Sequence, residues 1–574
     1  MVLLPEVPMK ARLFDPRVGY FTVGYTDFDS NPQGIEYKKL ITRWRLEPKD
    51  EAAYLRGELV EPKKPITIYI DPATPKKWVP YLIQGVNDWQ VAFEKAGFKN
   101  AIYALEAPTD DPSWSLEDAR HSAIVYKPSD IPNASGPHIN DPRTGEILET
   151  HINWYHNVMS LLRDWYMIQA GTIDEAARKM QLDDELMGQL IRFVSSHEVG
   201  HTLGLRHNFG SSHTVPVEKL RDKAWVEANG HTPSIMDYAR FNYVAQPEDG
   251  ITRAGIFPRI GIYDKWSIEW GYRWLPQFQT PEDEVAFSNQ SIIEKQKTDV
   301  RYTFGTESDP NDPRNQSEDL GDDSMLASLY GIKNLKRIVP QILTWSYEPN
   351  KSYAGAGEIY SGVVSQFNRY LGHVTKNVAG IYSNSITVEQ TDEIAREFVP
   401  ANIQKRAIAF LNEQLFTTPE WLIDRQLMEK AKILPMNVIC SLQSGVLARL
   451  INKNTLNKMS ENEILNGKKA YTSAQMFNDL KKVIWSNLGQ SDIYKRNMQK
   501  AYVENLINLL DKKGNADKNA SGKRPVYSEA PAIAHGQLTE LKRLATSAAS
   551  MTSGTAKGHY QNLITLIDNA LSNK

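Results

Sequence analysis

The chain has 574 residues, too many for one ordinary core, and its 41% hydrophobic and 24% charged residues describe a folded protein of two or three domains. With 66 basic against 69 acidic residues the formal net charge is −3, which excludes the basic surplus of a nucleic-acid or anionic-membrane binder and leaves a protein or peptide as the expected partner. A single cysteine, Cys440 in "LPMNVICSL", excludes an internal disulfide and reads as a buried small hydrophobe.

No apolar run is long enough for a transmembrane segment, and "MVLLPEVPMKARLFDP" lacks the basic and apolar regions of a signal peptide, which leaves a cytosolic protein or the mature or trimmed part of an exported one. Residues 1–64 form a β-rich segment, in which "VGYFTVGYTDF" and "KKLITRWRLE" read as strands separated by "DSNPQG". So few strands can hardly fold alone; the segment is expected to pack on the unit C-terminal to it or to end an upstream domain. "PKKPITIYIDP" predicts a strand bounded by prolines, and "WVPYLIQGVNDWQVAFEKAGF" a helix stopped at Gly97. "NAIYALEA" and "HSAIVYKPSD" read as strands, and "ASGPHIN" with "EILETHINWY" as a hairpin about "DPRTG". Helices are predicted over Trp154–Ala170 and Asp184–Leu205. The order is that of helices covering a mixed sheet, an α+β unit over residues 65–304.

"YDKWSIEWGYRW" predicts a further helix, and the acidic "GTESDPNDPRNQSEDLGDD" at 305–323 a solvated linker between domains. From 324 to 574 the spacing is mainly helical, with no fixed repeat, which favours a helical bundle. "KKGNADKNASGKRP" reads as a flexible loop.

The chemistry is concentrated in "SSHEVGHTLGLRHNFGSS". On a helix His197 and His201 lie four apart on one face, so their imidazoles can converge on one ion. Gly204 can take the left-handed conformation that ends the helix and swings His207 round as third ligand. Three imidazoles with an open fourth position describe a catalytic zinc site. Glu198, beside the first ligand, is then the general base for the metal-activated water and afterwards the acid for the departing amine.

The stretch His197-Glu198-Val199-Gly200-His201-Thr202-Leu203-Gly204-Leu205-Arg206-His207, with "SIMDY" downstream, resembles the metzincin zinc proteases, whose HExxHxxGxxH is followed by a methionine turn. "DPRTGEIL" and "YDKWSIEWGYR", with the helical tail, are similar to a bacterial group of large exported zinc-dependent metzincins. The resemblance implies a metzincin-like catalytic domain with a mixed twisted sheet, followed by a helical C-terminal domain. It implies one catalytic Zn2+, Met236 as the apolar floor under the metal, and Tyr238 as an oxyanion helper. It also implies export to the periplasm, outer surface or medium, and a substrate strand added along an edge near Gly136 to Asn140. Asn208 stands where several metzincin families carry a family-specific residue.

The expected function is therefore a zinc-dependent endopeptidase. Two alternatives stay open: an inactive metzincin-fold scaffold, and a zinc amidohydrolase acting on a cell-wall amide. His207 disfavours a distant glutamate as third ligand. His138, His151, His156, His213 and His231 read as structural or surface residues. Ca2+ at the acidic run lacks an EF-hand pattern. If an N-terminal carboxylate blocks the metal, it is one such as Asp15 or Asp27. Oligomeric state has no sequence signal here.

Overall fold

The computed structural model describes residues 2–108, 110–510 and 527–572; the loop expected at 512–525 lies outside the described residues. Strands β1 (Thr22–Asp27) and β2 (Glu36–Ile41) form an antiparallel hairpin, and α1 (Glu51–Leu55) comes next, capped by the Asp50 side chain. After it run β3 (Ile66–Ile70), α2 (Val79–Asn87), α3 (Gln90–Lys95), β4 (Ile102–Glu106) and β5 (Ser122–Lys127). The short strands β6 (Ala134–Ser135), β7 (Ile139–Asn140) and β8 (Ile147–Glu149) lead to β9 (His151–Tyr155), α4 (Val158–Ala170) and α5 (Asp184–Thr202).

The main sheet has the order β4-β3-β5-β9-β6. Its first four strands are parallel, and β6 runs antiparallel to β9 at the edge, with Ala134 opposite Trp154. In β3 the alternation buries Ile66, Ile68 and Ile70 on the face that meets the helices. Small residues allow α2 to lie against α5: a Cβ on Gly85 would stand 2.5 Å from Ser195 Cβ. The hydroxyls of Ser195 and Ser196 donate to the carbonyls of Leu82 and Gly85, and the Trp89 indole donates to Ser196 O. The site-bearing helix is thus locked before any site chemistry is considered.

The edge expected at Gly136–Asn140 is corrected. β7 pairs with β8 in a separate ribbon, because the turn closes on Asp141 with Gly145 at φ +76. On this side the main sheet ends at Ala134–Ser135, β4 being its other edge.

Two apolar cores are present. The first runs from Val18 to Ile292 and includes Tyr20, Ile41 and Val60 of the N-terminal segment, which therefore packs on the sheet. The second holds the helices beyond residue 320, among them Ser324–Ile338, Ala354–Thr375, Pro435–Leu450 and Ala530–Met551. Helix α4 is the shared wall: Leu162, Tyr166 and Ala170 face the first core, Met167 and Ile168 the second. The fold is α+β with a mainly helical C-terminal region, and no single described helix is long and apolar enough to cross a membrane.

The acidic stretch 305–323 is a loop solvated only in part, with Asp322 exposed. Asp312, Glu318, Asp319 and Leu320 are all buried, with Glu318 1% exposed. Burial is tolerated because the carboxylates meet cations: Asp312 pairs with Arg314, and Glu318 with Arg240 and Arg369. Cys440 is half-buried rather than buried, since it sits on the outer side of its helix.

Candidate metal centre

Helix α5 starts at Asp183 with Asp184 and Glu185 in its first turn, where carboxylates oppose the helix dipole. It ends at Leu203, and Gly204 takes φ +91. A side chain there would be strained and would stand 2.0 Å from Thr42 O, so only glycine fits. The freed carbonyls at this end are taken up by distant groups. The Trp44 indole donates to Thr202 O, the Tyr272 hydroxyl to Leu203 O, and Phe21 N–H to Gly204 O. Arg206 N–H then donates to Gly19 O, so residues 19–21 run beside 204–206 like an added strand.

This turn returns His207 to the helix face. Its Nε2 lies 3.3 Å from His197 Nε2 and 3.2 Å from His201 Nε2. Among the described residues, these three form the one group of histidines, cysteines or carboxylates whose donor atoms converge. His197 Nδ1 is 2.8 Å from Ile235 O, and His201 Nδ1 is 2.9 Å from Leu205 O. Each carbonyl holds a proton on Nδ1, which leaves the Nε2 lone pair facing the centre. Burial pushes all three imidazoles below their usual value, His207 to about 3, so they stand neutral as ligands must.

Zinc fits this donor set. Metal–nitrogen bonds of about 2.0–2.1 Å in a tetrahedron give an edge of roughly 3.3 Å. Both measured Nε2 separations match it.

Glu198 is buried, and burial raises its carboxyl to about 7 against the opposing pull of a hydrogen bond from Gly136 N–H. Gly136 must lack a side chain, because a Cβ would meet Glu198 O at 2.3 Å. Beside a bound divalent cation the same carboxyl is drawn back towards ionisation.

The segment from Ser234 to Tyr238 passes beneath. Ser234 Oγ and the N–H groups of Ile235 and Gly261 all donate to Asp264, at 2.6–2.8 Å. Met236 is buried against α5, where its sulfur lies 2.2 Å from the position of a Cβ on Gly200. Its carbonyl accepts from Asn208 N–H. Tyr238 adopts φ +59, which turns its ring to 5.4 Å from His197 and 5.1 Å from His207, centroid to centroid. Asn208 clamps another segment, donating to Thr303 O and accepting from Gly305 N–H.

Of the other histidines, His231 is buried and meets Arg240 O, while His138 lies beside Phe21 near His201. His213 is half-buried and does not join the triad's converging donors. Asp15 pairs with Arg17 and Asp27 with Lys38, and no described N-terminal carboxylate joins the cluster. Arg240, Glu318 and Asp264 carry much of the site's support; Asp264 lies in "YDKWSIEWGYR" and Glu318 in the acidic run, but nothing in the sequence marks any of the three as a buried partner. Their only local signal is a charge inside an otherwise apolar or turn segment.

A family model described as Met-zincin matches residues 179–492, more than half of the chain. A second, described only as a domain of unknown function, matches residues 1–49. No curated protein and no solved structure matches the chain.

Proposed function

The chain belongs to the Met-zincin family, and from that membership we propose that it is a zinc-dependent endopeptidase in which His197, His201 and His207 hold the metal. The observation that carries the proposal is the pair of 3.2–3.3 Å Nε2 separations with a buried carboxylate, Glu198, on the same helix. Zinc held there supplies Lewis acidity, acidifying a water and polarising the carbonyl to be cleaved.

The rest falls to the protein. Glu198 accepts the water proton and returns it to the departing amine, with Gly136 N–H steadying one carboxylate orientation. The Tyr238 hydroxyl donates to the oxygen that gains charge. Met236 fills the space under the imidazoles and keeps water from that side. An extended substrate lies along β6, whose outer edge is unpaired in the sheet, and this aligns the scissile bond beside Glu198. We further propose export, which cell fractionation tests directly.

The deciding experiment is digestion of a diverse peptide pool, read by mass spectrometry, with Glu198→Ala in parallel. Cleavage that disappears in a variant still holding zinc supports the proposal. A zinc-loaded wild-type protein that cuts no peptide overturns it and favours a scaffold or a non-peptide amide substrate.

A further inference from the structure

A cavity of about 840 Å³ opens between the segment after Phe209 and the C-terminal helices. One wall is Phe209, which stacks on His207 at 5.3 Å, and Glu307, whose carboxylate pairs with Arg206 beside the same histidine. The opposite wall comes from Ala354–Thr375, Pro435–Leu450 and Lys453–Asn466, the helical region for which the metal site itself has no use. The cavity therefore begins one ring away from the metal ligands.

Its lining carries four cations, Arg369, Lys376, Arg449 and Lys458, against two carboxylates, Glu307 and Asp309. Both carboxylates are already engaged. Glu307 holds Arg206, and Asp309 accepts from the backbone N–H groups of Asn311 and Asp312. The cations are only partly matched in return: Asp319, Asp312 and Asp309 act on Lys376, and Asp309 alone on Lys458. Lys376 donates to two backbone carbonyls, of Asp309 and Asn315, and Lys458 to the Asn311 amide oxygen. Arg369 shares Glu318 with Arg240, two guanidiniums on one carboxylate oxygen at 3.1 and 2.8 Å. Burial pushes Lys376 and Lys458 below their usual value against the opposing pull of those carboxylates.

We propose that this cavity is a substrate subsite that receives a carboxylate of the peptide, either an Asp or Glu side chain or a free C-terminus. An anion entering it meets guanidinium and ammonium groups already in place, at lower desolvation cost than an exposed pair. A neutral amide leaves the same cations unmatched, so discrimination arises from the empty charge as much as from the contact made. The helical region thereby supplies selectivity to a site whose histidines, base and tyrosine lie in residues 197–238. The inference rests on the peptide-cleavage reading for its biological meaning, but its test does not need cleavage.

Zinc-loaded Glu198→Ala protein is titrated against fluorescein-labelled eight-residue Ala/Ser peptides carrying one Glu at each position in turn. Matched Gln peptides, and each peptide with a free or amidated C-terminus, complete the set, with anisotropy as readout. At one position, Glu is expected to bind roughly tenfold tighter than Gln; if the carboxyl terminus is the group received, the free form exceeds the amide by that factor. In Arg449→Gln and Lys458→Gln, checked for folding by circular dichroism and for full zinc content, the gap narrows to within about threefold. Equal affinity for every acid and amide pair overturns the subsite, as does a gap that both variants leave intact. Selective acid binding by a protein whose wild type cuts nothing would sink the peptidase reading and keep the subsite.

Discussion

Arg240 and Glu318 form an ion pair at 2.8 Å with both side chains buried, and the Arg240 guanidinium lies between the rings of Trp165 and Tyr238, 3.1 and 5.3 Å from their centroids. The planar cation therefore acts as a spacer that sets where the Tyr238 ring stands. Lysine keeps the charge but loses the flat, forked shape. Arg240→Lys is expected to retain full zinc while lowering kcat at least about tenfold, with KM little changed, if Tyr238 acts in the transition state. Metal analysis with steady-state cleavage checks it; an unchanged kcat would remove Tyr238 from the mechanism.

Removing one partner of a buried pair leaves the other charge unmatched. Glu318→Gln strands two guanidiniums, and a loss of about 3–5 kcal/mol is expected in urea unfolding. A loss under about 1 kcal/mol would mean that water already reaches the pair.

Gly204→Ala meets both a positive φ and the Thr42 carbonyl 2.0 Å from the new Cβ. Stability should fall by about 3 kcal/mol or more, and zinc stoichiometry should drop because the turn that returns His207 is displaced. Wild-type melting with full zinc would refute this account of the turn.

Asp264 is fully buried, and burial raises its carboxyl to about 6 despite hydrogen bonds from Ser234, Ile235 and Gly261. The folded value exceeds the unfolded one, so the folded chain binds more protons between about pH 4 and 6 and this group's contribution to stability falls as pH rises through that window. Asp264→Asn should flatten that part of the stability profile, measured by denaturation at successive pH values. A slope identical to wild type would assign the effect elsewhere.

Zinc that binds only the folded chain stabilises it by mass action, about 4 kcal/mol at a thousandfold excess over Kd. Adding a chelator should therefore lower the Tm of wild type and leave that of His207→Ala almost unmoved. Equal shifts in both proteins would exclude His207 as a ligand.

The triad is legible in the sequence because its members lie within eleven residues and helical spacing alone brings two of them together. Met236 and Tyr238 are legible through their resemblance to a known motif, though not the left-handed backbone that turns the tyrosine inward. Features assembled over long range are hidden from a sequence. Residues 305–323 read as a solvated linker because polarity is all that composition reveals. Asp312, Glu318 and Asp319 are nonetheless buried, Glu318 by partners on other elements, Arg240 and Arg369. The edge strand is displaced by a few residues from its expected place for a similar reason: the Asp141 turn competes for the chain, and only the fold decides between a ribbon and the sheet.

The bracing of residues 202–206 by Phe21, Thr42 and Trp44 also sets an order of events. The curl that brings the third imidazole home is completed by residues far away in the chain, across a very long loop whose closure is slow. Until that contact forms during refolding, a chain carries the whole ligand motif without the bracing that holds its turn. Removing residues 1–45 is therefore expected to lower zinc content without touching a single ligand, which metal analysis of the truncated chain would check.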